Sequence, residues 1–422
     1  MTVFKEPIRH DTACRICGSR NIKTVFQLNP TPPEDQFVPR EKLNIVQDAY
    51  PLVLALCENC GYLHLPFILN PEISYSHYLY ETKITIGLTK QYQEYADQII
   101  LMTGARKGDL VVDLGSNDGT MLEAFKRRGM KVLGIEPSAS IAHVANEKGI
   151  PTIIDFFTDS VVDKIINEFG HAEIITANYM YANIDDLHEF TNNVSKLLST
   201  EGVFIVQTGY HPEQMKINMF DYIYHEHFSY FTLKVLNNLF AKHGLDLIDA
   251  QKNPAKGGSL RVIAQRVGGK RPVAPSVNTI LLEEENNMMH RPEPYLTFAI
   301  KVEGFKKQLN GLITQIKKDK KRIVGYGASH STTTLTYHFD LGTHMEYLVD
   351  DNPLKQGMYS PGNHIIVHPS QYLLEDKPDY VIILAWQYQS QIIAKNQLYL
   401  KQGGKFIVPL PELKVIQKEI RG

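Results

Sequence analysis

An apolar segment that runs directly into a glycine turn constrains the fold more than any other feature of this chain. Residues 110–114 read Leu-Val-Val-Asp-Leu, and Gly115-Ser116-Asn117-Asp118-Gly119 follows them. A short buried strand, a glycine turn and a helix start are typical of the first unit of a doubly wound α/β domain. A second apolar strand ends in Glu136, 23 residues after Asp113. A carboxylate at that place can accept both ribose hydroxyls of a bound nucleoside.

The turn differs from the dinucleotide-binding fingerprint in two ways. Asp113 lies in the strand, before the first glycine, and Asn117 stands in place of a middle glycine. A pyrophosphate prefers bare backbone amides and a helix dipole, whereas an acid near the loop suits the ammonium group of an amino acid. The pattern resembles motif I of class I methyltransferases, which implies S-adenosylmethionine as the cofactor. An NAD-binding domain and a non-binding remnant of this fold remain open alternatives.

Later segments complete the sheet that such a domain needs. Apolar strands are expected at 151–154, 172–178, 202–207, 246–248 and 259–264, which makes seven in all with a closing hairpin. Asp155 and Phe156 follow the third strand, where class I methyltransferases contact adenine, and Asn178 ends the fourth. The cofactor-binding residues predicted in this way are Asp113, Gly115, Asn117, Asp118, Gly119, Glu136, Asp155, Phe156 and Asn178.

The four cysteines of the chain form two close pairs. Cys14 and Cys17 lie in Cys-Arg-Ile-Cys-Gly, and Cys57 and Cys60 lie in Cys-Glu-Asn-Cys-Gly. Two CxxC knuckles, each followed by a glycine that permits a tight turn, have the spacing of a tetrahedral zinc site. Because all four ligands are thiolates, the sequence predicts structural rather than catalytic zinc. Redox chemistry and a pair of disulfides are the alternatives.

A run of titratable and aromatic residues, Tyr224-His225-Glu226-His227, follows the fifth strand. It is expected at the C-terminal edge of the parallel strands, where doubly wound sheets bind their ligands. In an extended conformation, His225 and His227 would share one face, and Tyr224 and Glu226 the other. A neutral imidazole is suited to take a proton near pH 7. The run therefore predicts a general base among substrate-binding groups, with a second metal site or a structural hydrogen-bond cluster as alternatives.

A second Rossmann-like unit is expected after residues 270–295, whose Pro, Asn and Glu content is typical of a boundary. Apolar residues then recur at helical spacing over 298–316. A strand leads into Gly325-Tyr326-Gly327, which either holds a nucleotide phosphate or serves as scaffold. The expected strands of this unit are 323–324, 347–351, 380–385 and 406–409.

Taken together, this order of motifs resembles the sugar C-methyltransferases that act on nucleotide-linked 4-keto-deoxysugars. The resemblance covers nearly the full chain. It implies a four-cysteine zinc-binding module at 1–75, a methyltransferase domain at 76–270, and a C-terminal Rossmann-like domain at 271–422 that binds the substrate or its nucleotide. The matching residues are Cys14, Cys17, Cys57, Cys60, 113–120, 224–227, 257–261, 325–328, 351–357 and 384–386.

The resemblance also implies a reaction and the residues that perform it. His227 would remove the C3 proton of a 4-ketosugar that is linked to a nucleotide, with dTDP expected, and the enolate would take the methyl group. Tyr224 and Glu226 would contact the sugar, with His225 in the same run.

Two further segments enter through the resemblance. Either Tyr78 or Tyr80 would also face the sugar. Asn183 stands where the family tends to place a histidine, and Ser329-His330-Ser331 replaces its more usual Pro-Ala-Lys-Gly. Both departures bear on the acceptor rather than on the reaction type.

Charge and hydropathy exclude other classes. Lys and Arg number 44 against 46 Asp and Glu, a net charge of −2, which leaves no electrostatic footprint for nucleic acid or an anionic membrane. No segment approaches the ~20 apolar residues of a membrane helix, and the N-terminus shows no signal peptide. We therefore expect a cytoplasmic enzyme with a small-molecule substrate, and the oligomeric state stays open, a monomer included.

Three competing functions remain at this point. The first is a methyltransferase that acts on oxygen, nitrogen or a non-sugar carbon. The second is an NAD-dependent sugar oxidoreductase that uses Gly325, Gly327 and either Asp350 or Asp351. The third is a zinc-stabilised binding protein, against which the intact Asp113, Glu136 and His227 argue.

Overall fold

The computed structural model describes residues 6–70, 73 and 88–418, which form an α/β protein with four β-sheets. None of the helices in these ranges is long and apolar enough to cross a membrane. Tyr78 and Tyr80, both predicted to face the sugar, lie outside the described residues.

The N-terminal strands form a small sheet that a much later segment completes. Strands β2 (Ile22–Thr31), β3 (Tyr50–Cys57) and β4 (Leu63–His64) are antiparallel neighbours, and β11 (Ser229–Tyr230) pairs with β4 at the edge. Nearby, β1 (Ile8–His10) pairs with β5 (Phe67–Leu69). Because β11 follows directly after the Tyr224–His227 run, the N-terminal sheet anchors one end of the candidate catalytic segment.

The middle of the chain forms the predicted seven-stranded sheet. Its strands are β6 (Leu110–Leu114), β7 (Lys131–Ile135), β8 (Thr152–Ile153), β9 (Ala172–Asn178), β10 (Leu198–Gly209), β12 (Leu245–Asn253) and β13 (Ser259–Arg266). Their spatial order is β12-β13-β10-β9-β6-β7-β8. The five neighbouring strands β10, β9, β6, β7 and β8 run parallel, whereas β13 is antiparallel to both β10 and β12. The expected closing hairpin is therefore confirmed.

Helices cover both faces of this sheet because its strands are apolar on both sides. Val111 belongs to one buried cluster with helices α1 and α2, and its neighbour Val112 belongs to another with α4, α5 and α7, as the alternation of side chains along a strand requires. The helices of this part are α1 (Leu88–Thr103), α2 (Thr120–Lys126), α3 (Ala139–Glu147), α4 (Asp159–Phe169), α5 (Leu187–Leu197), α6 (His211–Lys216) and α7 (Leu233–Lys242).

The segment 270–295, whose composition suggested a boundary, contains helix α8 (Pro275–Asn286) and the start of α9 (Glu293–Lys318). Val277 and Ile280 of α8 are buried in a core of the seven-stranded sheet. The Glu284 carboxylate accepts the backbone N–H groups of Leu233 and Lys234, which begin α7. This segment is therefore packed structure rather than an irregular linker.

The C-terminal part is a second, six-stranded sheet, ordered β16-β15-β14-β17-β18-β19. All neighbours run parallel except β19, and β16 and β19 are strands that the sequence analysis did not predict. The elements are β14 (Ile323–Tyr326), α10 (His330–His338), β15 (Leu348–Asp350), β16 (Val367–Pro369), α11 (Tyr372–Asp376), β17 (Tyr380–Ile383), α12 (Gln389–Lys395), α13 (Gln397–Lys401), β18 (Lys405–Val408) and β19 (Lys414–Ile416).

One hydrophobic core joins the first and last parts of the chain. It contains Leu52 and Leu54 of β3, Val302 of α9, and Val324 and Ile382 of the C-terminal sheet. Helix α9, predicted from its apolar periodicity, lies in this core with its buried face. The N-terminal module and the C-terminal sheet are therefore held against each other. The loop after α6, at 217–228, packs into the same core.

Candidate active site and zinc site

Four thiols from the two cysteine knuckles meet at one point. The sulfur atoms of Cys14 and Cys60 are 3.6 Å apart, those of Cys17 and Cys57 are 3.5 Å apart, and all four lie within 4.8 Å of one another. Tetrahedral zinc with Zn–S bonds of about 2.3 Å would separate its sulfur ligands by about 3.8 Å. The donor set therefore fits zinc, and with four thiolates the site is structural.

The two acids of the predicted cofactor site lie at the ends of neighbouring strands β6 and β7. Asp113 accepts a hydrogen bond from Thr176 Oγ1 at 2.5 Å, and burial raises its pKa to about 7. Glu136 accepts the N–H groups of Asn117 and Ser138 at 3.0 and 2.9 Å, one on each carboxylate oxygen, and burial raises its pKa too. Both acids have lost hydration, so a cation or a hydroxyl donor would be stabilised beside them.

The turn beside these acids leaves groups unused that a ligand would satisfy. Both polar atoms of the Asn178 side chain are buried without a well-formed hydrogen bond. Gly115 has a φ of 67°, and a Cβ there would lie 2.9 Å from the Met180 side chain, so glycine is required. These residues fit S-adenosylmethionine: an ammonium group at Asp113, ribose hydroxyls at Glu136 and a polar contact at Asn178.

The remaining predicted cofactor residues differ in exposure. The buried Asp118 carboxylate accepts from Thr120 Oγ1 at 2.6 Å and lies 3.5 Å from Lys148 Nζ, so we expect it to shape the start of α2 rather than to contact cofactor. Asp155 and Phe156 are exposed after β8, where Phe156 leaves 42% of its surface open to solvent. A flat apolar ring at that edge suits contact with adenine.

The Tyr224–His227 run is a turn, so the sharing of faces that an extended conformation would give does not arise. The His227 N–H donates to the Tyr224 carbonyl at 3.0 Å, and the two rings are in contact, tilted by 31° with centroids 4.1 Å apart. Tyr230, on β11, holds the turn from outside, because its hydroxyl accepts the Tyr224 N–H at 3.2 Å. The turn separates the surroundings of His225 from those of His227.

His227 lies against aromatic rings, and its imidazole is neutral near pH 7. Its Nδ1 is 3.2 Å from the Tyr222 carbonyl, so Nδ1 carries the hydrogen and Nε2 keeps its lone pair. Burial, with a smaller effect from the nearby positive charge of Lys256, lowers its pKa to about 4. The side chain is thus a neutral proton acceptor through Nε2.

His225 points to a different partner, Glu34, in the loop after β2. One Glu34 oxygen, Oε1, is 2.9 Å from both the backbone nitrogen and Nδ1 of His225, and both side chains are fully buried. Burial acts to raise the pKa of Glu34, but His225 brings it below its ordinary value. This pair fixes the backbone of the turn, so His225 supports the run from behind.

Glu226 has surroundings that differ from those of His225 and His227, because it lies next to groups from two distant segments. His330 Nε2, on α10, lies 3.6 Å from Glu226 Oε1 and 3.8 Å from Asp35 Oδ2. Asp35 itself pairs with the buried Lys355. Burial raises the pKa of Glu226 well above its ordinary value, and Glu34 and Asp35 raise it further. These surroundings favour the protonated form of Glu226, which can donate a hydrogen bond.

The cofactor side and the catalytic run meet through the residues after β9. The Lys256 ammonium lies 4.0 Å from the centre of the Tyr179 ring, next to Asn178, and its charge acts on both Glu226 and His227. Asn183 ends the 3₁₀ turn after β9 (Tyr181–Asn183), and this turn packs beside β11, two residues beyond His227. Lys256 therefore links the residues after β9 to the catalytic run.

The sequence did not indicate Glu34 and Asp35 as site residues, nor the position of His330. Lys355 lies in the matching segment 351–357, but the sequence indicated no role for it. Glu34 lies 191 residues before its partner His225 in the sequence, and Asp35 is the next residue. Adjacent acids on a loop after a strand are common on solvated surfaces, so nothing local distinguishes them. Of these two acids, Asp35 has an uncommon backbone conformation, with a left-handed φ of 63°. The sequence does not reveal that conformation.

Comparison with known proteins gives three matching family models. The model described as "Putative zinc binding domain" matches residues 14–75, "Methyltransferase domain" matches 88–250, and "C-methyltransferase C-terminal domain" matches 254–411. Together they follow the order of the three parts described above.

One relative matches this chain over its full length. The C-methyltransferase NovU of Streptomyces niveus is 34% identical over 418 residues, which cover 99% of each chain. Among solved structures, a methyltransferase of Clostridium acetobutylicum is 12% identical, covers 43% of this chain and 92% of its own, and has a TM-score of 0.35. The CcbJ methyltransferase of Streptomyces caelestis is 13% identical, covers 42% and 90%, and has a TM-score of 0.33. The family to which this chain belongs is shown by the three family models and the full-length relative, and these two structures carry no part of that conclusion.

Proposed function

The chain belongs to the family of zinc-containing, S-adenosylmethionine-dependent sugar C-methyltransferases, and on that premise we propose that it methylates C3 of a nucleotide-linked 4-keto-deoxysugar. The nucleotide we expect is dTDP. The observation that carries the proposal is the neutral, partly buried imidazole of His227, whose Nε2 keeps its lone pair next to the carboxyl of Glu226, whose pKa is raised. Such a pair suits a carbon acid beside a ketone.

The chain's own residues would make the carbon nucleophile in two coupled contacts. His227 Nε2 takes the proton from the carbon next to the ketone, and a proton at that place is acidic enough if the oxygen is stabilised. Glu226 donates a hydrogen bond to the oxygen on which negative charge develops, and Tyr224 and Asn183 contact other sugar oxygens. When bound, S-adenosylmethionine supplies an electrophilic methyl group. Holding both substrates in line contributes much of the rate.

The C-terminal domain, 271–422, would bind the nucleotide. The Asp350 carboxylate accepts the N–H groups of Ala328 and Asn352 at 2.6 and 2.8 Å, which repeats the way in which Glu136 accepts from Asn117 and Ser138. Gly327 is needed there, since its φ is 117° and a Cβ would lie 2.8 Å from Ala385. The same turn delivers His330 to Glu226, so a nucleotide on this turn would direct its sugar toward His227.

The test uses the zinc-loaded full chain with labelled S-adenosylmethionine and a dTDP-4-keto-6-deoxysugar. We expect transfer of one methyl group to a ring carbon, and exchange of the adjacent proton with D₂O when S-adenosylhomocysteine replaces the donor. H227N should abolish both, a loss of at least about 10²-fold, while its affinity for S-adenosylhomocysteine stays near that of the wild type.

Other outcomes would redirect the assignment. Methyl transfer without proton exchange would indicate an oxygen or nitrogen acceptor. Wild-type turnover by H227N would rule out His227 as the base, and a change in nicotinamide absorbance with the sugar would favour an oxidoreductase that uses Asp350.

A further inference from the structure

His330 reaches from the C-terminal domain into the catalytic turn. It is the first residue of α10, directly after the glycine turn, and its Nε2 lies within 4 Å of two carboxyls from other segments, 3.6 Å from Glu226 and 3.8 Å from Asp35. Its ring is 6.0 Å from that of Tyr224, between centroids. One imidazole therefore contacts both the catalytic turn and the N-terminal module, yet the reaction proposed above gives it no role.

The two carboxyls beside His330 differ in how their charge is compensated. Lys355 pairs with Asp35 and also donates to the Ala328 carbonyl at 2.5 Å, so the Asp35 charge has a buried cation. Among the described residues, the basic side chain within 4 Å of the Glu226 carboxyl is that of His330. Burial lowers the pKa of His330, so its imidazole is neutral near pH 7. A neutral imidazole facing a neutral carboxyl can form one hydrogen bond of defined direction.

We propose that His330 is a positioning residue for Glu226: its Nε2–H donates to Oε1 of the Glu226 carboxyl and leaves the carboxyl hydrogen on Oε2. This inference rests on the proposed function. The hydrogen on Oε2 then faces the acceptor and donates to its ketone oxygen. The separation of 3.6 Å is long for a hydrogen bond, and such contacts commonly shorten when the substrate closes the site. A substrate held on the glycine turn would bring the two groups together.

The groups that bear on His330 and Glu226 come from every part packed around them. They are Glu34 and Asp35 of the N-terminal module, Lys355 of the C-terminal domain, Lys256 of the loop before β13, and His227 of the turn itself. Any measurement of the pair must therefore separate it from these neighbours, which a double-mutant cycle does.

The first experiment is a cycle on the zinc-loaded full chain, with wild type, H330A, E226Q and the double variant. We expect H330A to lower kcat about tenfold with unchanged affinity for S-adenosylhomocysteine. In the E226Q background, where the amide fixes its own donor, the same change should cost less than about twofold. H330Q, whose side-chain N–H lies near the place of Nε2–H, should recover most of the activity. H143A, on the exposed face of α3, is the matched control and should have no effect.

The second experiment reads the contact without turnover. Infrared difference spectra between wild type and E226Q should show the carbonyl band of a protonated carboxyl, and H330A should move that band to higher frequency because Oε1 loses its donor. Equal losses from H330A in both backgrounds, or a band that does not move, would overturn the role of His330. If the wild type methylates no nucleotide-linked ketosugar, the proposed function fails, but the infrared result still decides whether His330 positions Glu226.

Discussion

At the residue scale, the site depends on which groups are neutral. His227, His330 and Glu226 are all neutral near pH 7 because burial favours their uncharged forms. Behind them, Glu34 faces His225 and Asp35 faces Lys355, and these contacts help to hold the pKa of both carboxyls below the ordinary value. The arrangement places proton-accepting and proton-donating groups in a region from which charge has been removed, where hydrogen bonds are stronger than in water.

The pKa of His227 predicts an unusual acid limb. Burial lowers the pKa to about 4, so lowering the pH from 7 to about 5.5 leaves the imidazole neutral, whereas a group at the ordinary value of about 6.5 would be mostly protonated. We expect kcat/KM for the acceptor sugar to hold over that interval when it is measured at saturating S-adenosylmethionine, so that the titration of Asp113 does not contribute. K256M, which removes a nearby positive charge, should move the limb to higher pH. An acid limb near 6.5 in the wild type would contradict the assignment.

Asp113 makes a second prediction, for cofactor binding. Burial raises its pKa to about 7 in the free protein, so roughly half of the molecules carry a proton there at that pH. An ammonium group beside it would lower the pKa and expel this proton. Titration calorimetry with S-adenosylhomocysteine at pH 7 should therefore show an enthalpy that depends on the ionisation enthalpy of the buffer. D113N should bind more weakly and lose the buffer dependence, whereas a buffer dependence that survives D113N would assign the proton to another group.

At the scale of elements, the loop after α6, which carries Asp221 and Ile223, is held by the C-terminal domain. Trp386 Nε1 donates to the buried Asp221 carboxylate at 2.9 Å, and Thr334 Oγ1, on α10, donates to the Ile223 carbonyl at 2.9 Å. These two contacts fix the loop just before Tyr224. The turn geometry at the base therefore depends on residues more than 100 positions away.

We expect W386F to loosen this loop. The change removes the donor and leaves the Asp221 carboxyl buried without it, which costs about 1–3 kcal/mol of folding free energy. The pKa of Asp221 is already raised to about 7 by burial, and loss of the Trp386 N–H should raise it further. Denaturant unfolding measures the stability, and kcat should fall while affinity for S-adenosylhomocysteine is kept. Y388F, on the adjoining 3₁₀ turn, is the control, and equal effects of the two changes would argue against the Asp221 contact.

The elements also show where sequence patterns are sufficient. The strand, glycine turn and acid of β6 and β7 were predicted because each signal is local and the spacing is set by one β-α-β unit. The segment 270–295 was predicted only as a boundary and its helix was not predicted, although Pro275 at the first helical position and Val277, Ile280 and Glu284 at helical spacing are helix signals. Strand β19 was missed because Lys-Val-Ile at its position is too short to differ from a loop.

At the scale of the whole molecule, three distant segments assemble one site. The turn that carries His227 receives Glu34 and Asp35 from the N-terminal module and His330 from the C-terminal domain. No periodicity or motif in the sequence indicates such contacts, because each depends on how the hydrophobic core of α9 and β3 joins the two ends of the chain. The zinc knuckles were predicted, but Glu34 and Asp35, which lie between them in the sequence, were not. The spacing of four thiolates has one good explanation, whereas two acids in a polar loop have many.

Zinc removal tests this assembly as a whole. The carbonyl of Ile16, between Cys14 and Cys17, accepts from His188 Nε2 at 2.8 Å and Lys242 Nζ at 3.2 Å, and Cys14 and Cys57 are buried in the same core as β6 and β9. Loss of the ion would weaken the contacts of the knuckles with His188, Lys242 and the central core. The N-terminal sheet, which pairs with β11 and is followed after β2 by Glu34, would then be less firmly held. We expect chelation to abolish methyl transfer before it abolishes cofactor binding, because Asp113 and Glu136 lie on the central sheet itself.

The measurement is calorimetric unfolding and S-adenosylhomocysteine titration of the same sample before and after chelation, with metal content measured in each. C17S, at a ligand, should reproduce the loss, since structural zinc contributes folding energy directly. N59A is the control, because Asn59 lies 3.5 Å from Cys17 Sγ and is no ligand. Full methyl transfer by a sample shown to be zinc-free would mean that the N-terminal sheet holds Glu34 and Asp35 in place without the metal. In that case the hydrophobic core shared with the C-terminal domain would be sufficient to assemble the site.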